Sequence, residues 1–134
     1  AGASKVIIYN RTAERAEKLV TEFSQYFPQT KLEAVSLHTI HETTLDLLIN
    51  STTVGMFSSE LPVDLKECRK INILADIIYS PKKTSLLKQA EELGITSVNG
   101  IGMLLYQGCE AFTFWTGKKA PEEVMRNRLI SLIE

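Results

Sequence analysis

Two arginines four residues apart, Arg11 and Arg15, stand where a short apolar run gives way to a helical pattern. Planar guanidinium forks suit a phosphate, and each charged hydrogen bond to one contributes about 1.5–3 kcal/mol. Asn10 and Thr12 flank the first arginine, so the tip carries an amide and a hydroxyl but no carboxylate. Arginines on a solvated helix start are common, and position alone favours that plainer reading. Arginine near a helix N-terminus opposes the macrodipole, however, and a bound anion would compensate it. Polar groups recur at Asn50-Ser51-Thr52, Tyr79-Ser80 and Asn99-Gly100, each just beyond an apolar run.

The elements that must position these groups alternate in type. Residues 5–9, 32–35, 45–49, 71–78 and 95–98 read as strands, and their continuous apolar character marks strands covered on both faces. After the first comes a helix with Thr12 as its N-cap and Ala16, Leu19, Val20 and Phe23 on one face. Glu14 and Lys18 are expected to pair on its outer side, and Pro28 lies past its end. Residues 36–43 suit one or two helical turns, and 55–64 a loop. A helix over 84–93 points Leu86, Leu87, Ala90 and Leu93 inward and stops at Gly94. Residues 102–115 are expected to form a buried helix ended by Gly117, with Pro121 opening a last helix. Strand–helix alternation of this kind predicts one α/β domain on an open parallel sheet with helices on both faces.

In such sheets ligands sit beyond the carboxyl ends of the strands, where the four polar tips are expected to form a crevice. In dinucleotide-binding folds an acidic residue ending the second strand favours NAD, whereas a nearby Arg accommodates the 2′-phosphate of NADP. Asn10 followed by Arg11 therefore predicts NADP.

Composition narrows the rest. A chain of 134 residues holds one compact core and has no room for a second domain. A net charge of -1 provides no global field for nucleic acid or an anionic membrane, so anion recognition must be local. No apolar run approaches the roughly 20 residues of a membrane span. Cys68 and Cys109 lie far apart without metal or redox spacing, as in a cytoplasmic chain with idle thiols. His38 and His41 share a helical spacing, but no further ligand completes a metal site. Lys82-Lys83 reads as a solvated pair opening a helix. The opening Ala1-Gly2-Ala3 resembles a helix end more than a protein start, so a fragment is expected.

Several of these tips carry a recognisable wording. Asn10-Arg11-Thr12 with Arg15-Ala16 resembles the N-R-T-x-x-R-A signature of shikimate dehydrogenases. Asn50-Ser51-Thr52-Thr53-Val54-Gly55-Met56 is similar to that family's N-[AS]-T-x-x-G-M segment. Asp76-Ile77-Ile78-Tyr79-Ser80-Pro81 with Thr84 is similar to its D-x-x-Y-x-P-x-x-T. Asn99-Gly100-Ile101-Gly102-Met103-Leu104, Gln107 and the Trp115-Thr116-Gly117 end resemble its last motifs. Each motif alone is weak, but four in order across nearly the whole chain are specific.

The resemblance implies a Rossmann-like NADP-binding domain that lacks, within these residues, its first strand and glycine-rich loop. It implies that Asn10, Arg11, Thr12 and Arg15 hold the adenosine 2′-phosphate and ribose, with Thr52, Ile77 and Gly100 also contacting the cofactor. Tyr79 and Gln107 would reach the hydroxyls and carboxylate of shikimate or 3-dehydroshikimate. Without the motifs these two read as a tyrosine packed at a strand end and a glutamine on a helix flank. The family's catalytic Lys and Asp belong to a substrate domain outside this sequence, so no catalytic residue is assigned and the chain alone is expected to be inactive. A quinate-preferring paralogue and a non-catalytic nucleotide- or partner-binding remnant remain alternatives. Strand edges left open by the missing strand predict self-association as a homodimer.

Overall fold

The computed structural model describes residues 2–133 apart from the side chains of Leu37, His38 and His41, so the histidine pair lies outside the described residues. The chain divides into two compact units, one up to Thr43 and one from Thr44 onward.

The first unit is a β-α-β element. Strand β1 (Lys5–Asn10) and strand β2 (Lys31–Ser36) run parallel in unbroken register, from Lys5 opposite Lys31 to Asn10 opposite Ser36. Helix α1 (Ala13–Ser24) connects them and packs on both, with Ala16 buried against the strands. Phe23 stacks edge-on with Tyr26 at the helix end, ring centroids 6.4 Å apart. The expected Glu14–Lys18 pair does not form: neither side chain has a partner among the described residues. An exposed pair of this kind gains too little to offset ordering two long side chains. At the other end of the strands Glu33 takes Lys5 at 2.6 Å and Lys31 at 2.5 Å. Those two ammonium groups, Lys31 foremost, hold its carboxyl below the ordinary glutamate range. A 3₁₀ segment (Leu37–Glu42) closes the unit, and Ile40 is its buried anchor.

The second unit is a three-stranded parallel sheet. Strand β3 (Thr44–Asn50) pairs with β4 (Lys70–Asp76), which pairs with β5 (Thr96–Val98). Leu65, Ile71, Leu74, Leu86, Leu87 and Ala90 form its core, built from β4 and helix α2 (Ser85–Glu92). A short 3₁₀ turn (Leu65–Glu67) that the sequence did not predict is fixed by side chains. Asp64 accepts from Lys66 N–H, and buried Gln89 accepts from Leu65 N–H at 2.7 Å while donating to Asp64. Burial, aided by Asp64 and Glu67, pushes the neighbouring Cys68 thiol up.

The expected parallel α/β fold is present, and its strands are shared between two sheets. The five strands form a pair and a trio, not the single open sheet expected.

Helix α3 (Ile101–Thr116) departs from expectation. Only Leu105 is buried, while Met103, Tyr106, Phe114 and Trp115 are all more than half exposed. An apolar character spread around a whole helix usually signals burial, but here its principal neighbour is helix α4 (Glu122–Ile133). Gly108 admits Met125, Cys109 lies 3.9 Å from the Met125 sulfur, and Arg126 sits 5.7 Å over the Tyr106 ring. Glu122 and then Tyr106 hold the Arg126 guanidinium in its charged form. Gly117, at a φ of 66°, takes the left-handed turn that ends α3.

Candidate functional site

At the tip of β1 the chain turns through Asn10, whose Oδ1 accepts from the Thr12 N–H at 2.9 Å. That side-chain turn brings the strand directly into α1, as short polar residues do at helix starts. Thr12 takes the N-cap position, yet its hydroxyl makes no capping bond. Arg11 and Arg15 are both exposed, and neither guanidinium has a hydrogen-bond or ion-pair partner among the described residues. Three donors at one turn thus have no partner among the described residues. No acidic side chain ends the strand. This donor set fits a phosphate monoester better than a ribose diol.

In the second unit the tips of β3, β4 and β5 share one end of the sheet because all three strands are parallel. Their polar groups are largely satisfied by one another. Asn50, 5% exposed, accepts from Thr52 N–H at 3.1 Å and Thr52 Oγ1 at 2.8 Å. The same Thr52 hydroxyl accepts from Val54 N–H, so it shapes the turn after β3 and is not free. The Asn50 amide donates to Asp76 Oδ1 at 3.1 Å. Asp76, 1% exposed, also accepts from Ile78 N–H at 3.2 Å and, through Oδ2, from Thr84 Oγ1 at 2.7 Å. Thr84 in turn caps α2 by accepting from Leu87 N–H. One buried carboxylate therefore joins two strand ends to a helix start.

Beyond Asp76 the chain runs through Ile77, half-buried, to Tyr79, whose side chain is 39% exposed. Ile77 N–H donates to the Asn50 carbonyl at 3.1 Å, and the Ile78 carbonyl accepts from Gly100 N–H at 3.0 Å. Gly100 is buried so closely that a Cβ would stand 1.8 Å from the Ile77 carbonyl oxygen. Its role is close approach of two strand ends, which only glycine permits. Asn99 secures the same corner, donating to the Lys82 carbonyl and accepting from Ile101 N–H. Gln107 is exposed on α3 and lines an open apolar groove of about 480 Å³ with Gly108, Ala111, Phe112, Trp115 and Met125.

The predicted residues thus fall into two groups. Asn10, Arg11, Thr12 and Arg15 share one turn; Thr52, Ile77, Tyr79, Gly100 and Gln107 belong to the second unit, where Ile77 and Gly100 touch through backbone. Asp76 and Thr84 also belong to this end of the sheet, though the sequence pattern does not single them out as ligand contacts. Their signal was an Asp closing a buried run eight residues before an N-cap Thr. Among the described residues no group of three or more His, Cys, Asp or Glu is placed to hold a metal ion. No helix of the described residues is long and apolar enough to cross a membrane.

Residues 100–130 match the shikimate 5′-dehydrogenase C-terminal domain family. A shikimate dehydrogenase (NADP(+)) of Methanopyrus kandleri is 40% identical over 96% of this chain and 47% of its own length. A crystal structure of a shikimate dehydrogenase in complex with NADP+ superposes with a TM-score of 0.84 at 35% identity, covering 97% of this chain and 47% of that one. A quinate dehydrogenase from Corynebacterium glutamicum in complex with NAD gives a TM-score of 0.83 at 25% identity, covering 96% and 46%. The chain spans about half the length of the curated relatives it matches. Over these residues it is similar to shikimate dehydrogenases, and residues 100–130 are similar to their C-terminal domain.

Proposed function

We propose that these residues are the partial NADP-binding domain of a shikimate dehydrogenase, an oxidoreductase that interconverts shikimate and 3-dehydroshikimate. The observation that carries this reading is the β1–α1 turn. There two guanidiniums and a hydroxyl have no partner among the described residues, and the carboxylate that would bind a ribose diol is lacking. Arg11 and Arg15 bind the 2′-phosphate, Thr12 adds a hydroxyl donor, and Asn10 holds the turn that presents them. Bound NADP supplies the hydride donor or acceptor. Ile77 and Gly100 offer a flat apolar and backbone surface to its nicotinamide end, and Thr52 shapes the adjoining turn. Tyr79 and Gln107 supply polar contacts to the substrate hydroxyls and carboxylate.

No group in this account takes the substrate proton; that work falls to a substrate domain outside these residues, so this stretch alone should bind cofactor at most. The protein is cytoplasmic in this reading and acts on a small hydroxy acid, not on nucleic acid or membrane. The likeness to quinate dehydrogenase supports a second reading, in which the intact enzyme prefers quinate.

Calorimetric titration of the full-length protein with NADP and with NAD tests the cofactor, and initial rates with shikimate and quinate test the substrate. NADP should bind at least tenfold more tightly, and Arg11→Ala should weaken it by about 10–100-fold, one charge-assisted contact. Equal affinity for both cofactors would sink the role given to the arginines. Faster turnover of quinate would decide for the second reading.

A further inference from the structure

Asp76 carries a charge-bearing side chain into a 1%-exposed position, and every donor around it comes from a different piece of the site. The Asn50 amide comes from the end of β3 and the Ile78 N–H from the exit of β4. The Thr84 hydroxyl comes from the start of α2. A carboxylate kept only to stabilise a core would be better replaced by apolar volume. We infer that Asp76 is a positioning residue for the reaction, setting the Asn50–Val54 turn and the Ile77–Tyr79 segment in one fixed relation; this rests on the function proposed above.

The geometry shows how. Ile78 N–H bonds back to Asp76, so the chain must bend just after β4, which places Tyr79 at the strand tip. The Ile77 N–H and Ile78 carbonyl are then taken by Asn50 and Gly100 respectively, so the bend is held from both sides. Through Asn50 the same carboxylate reaches the turn that Thr52 closes. Asp76 is 1% exposed, so it acts through the segments it holds.

The Asp76→Asn variant sharpens the inference. Its amide oxygen can still accept from Asn50 and Ile78, while its amide nitrogen can donate to Thr84 Oγ1, provided that hydroxyl turns its own hydrogen elsewhere. Asp76→Ala removes the acceptor of Ile78 N–H and of the Thr84 hydroxyl and leaves the Asn50 amide only the Val54 carbonyl. Misplacing reacting groups by about 1 Å can cost about 100-fold in rate.

The test is steady-state kinetics of the full-length protein at a temperature well below the melting point of each variant. Asp76→Ala should lower kcat/KM for shikimate by about 100-fold, while NADP affinity, set at the β1–α1 turn, changes less than about threefold. Asp76→Asn should recover most of the loss. If Asp76→Ala does not fold, Thr84→Val should lower kcat/KM about tenfold and Thr84→Ser restore it. A lowered melting temperature with kcat and KM unchanged makes Asp76 a stability residue only and overturns the inference. A fall in kcat/KM that Asp76→Asn and Thr84→Ser both fail to recover also overturns it. If the wild-type protein oxidises no shikimate or quinate with NADP, the functional reading falls and the positioning role falls with it; normal wild-type turnover with unaffected variants removes the positioning role alone.

Discussion

Two threonines open two helices in this chain, and they are used in opposite ways. Thr84 is 2% exposed, caps α2 through the Leu87 N–H and donates to Asp76. Thr12 holds the same position on α1, but its hydroxyl caps nothing and its neighbours Arg11 and Arg15 are exposed and have no partner among the described residues. A buried polar group left unsatisfied costs about 1–3 kcal/mol, so the region around Thr84 had to close its own hydrogen bonds. Donors in water carry no such penalty and stay available for an incoming ligand. The difference separates polar residues that hold the frame from polar residues that wait for something.

That contrast can be broken by substitution. The largest effects belong to the closed region. Asp76→Ala should cost about 3 kcal/mol by chemical denaturation of the full-length protein, because Ile78 N–H and the Thr84 hydroxyl lose their acceptor and the Asn50 amide keeps only the Val54 carbonyl. Gly100→Ala should cost about as much, since the new Cβ and the Ile77 carbonyl cannot share one place. Next come the open residues, whose loss should be silent in denaturation, within about 0.5 kcal/mol. Arg11→Ala or Arg15→Ala should each weaken NADP by about 1.5–3 kcal/mol in a titration and leave NAD unchanged. The paired threonines give a smaller and more direct comparison. Thr84→Ala should lower stability by about 1–2 kcal/mol, whereas Thr12→Ala should lower NADP affinity by about 1 kcal/mol with no change in melting. If Thr12→Ala melts as early as Thr84→Ala, the division drawn here is wrong.

The smallest effect concerns Glu33. Its carboxyl is held down by Lys31 and Lys5, so the folded form has the lower pKa. The stabilisation is present above the unfolded pKa and is lost as pH falls through the folded one. Glu33→Gln should therefore melt slightly earlier than wild type at neutral pH, with the gap closing in acid. The group is solvated, so added salt should shrink the gap as well.

Much of this was legible in one dimension because the signals are local. A parallel strand is a short apolar run, and five such runs correspond to the five strands, although β1, β2 and β5 hold no buried residue and are not covered on both faces within these residues. The β1–α1 turn was readable because the residues that shape it are neighbours in sequence. The rest depends on distance along the chain. The run over 71–78 reads as one strand, yet β4 ends at Asp76, because that carboxylate takes the Ile78 N–H and bends the backbone. Nothing in the order of residues shows that Asn50, Ile78 and Thr84 converge on one oxygen pair. Helix α3 misled for a related reason. Periodicity reports that a helix is apolar all round but not which neighbour covers it, and α4 leaves Tyr106, Phe114 and Trp115 in water.

That last exposure gives the molecule a built-in lamp. Trp115 is the one tryptophan in the sequence, and 79% of its surface faces solvent. Its fluorescence therefore comes from a single known place on α3 and should be red-shifted and easily quenched by iodide. Any surface that settles on this face would turn the emission blue and shield it from the quencher. Comparing residues 1–134 with the full-length protein needs no label for that measurement.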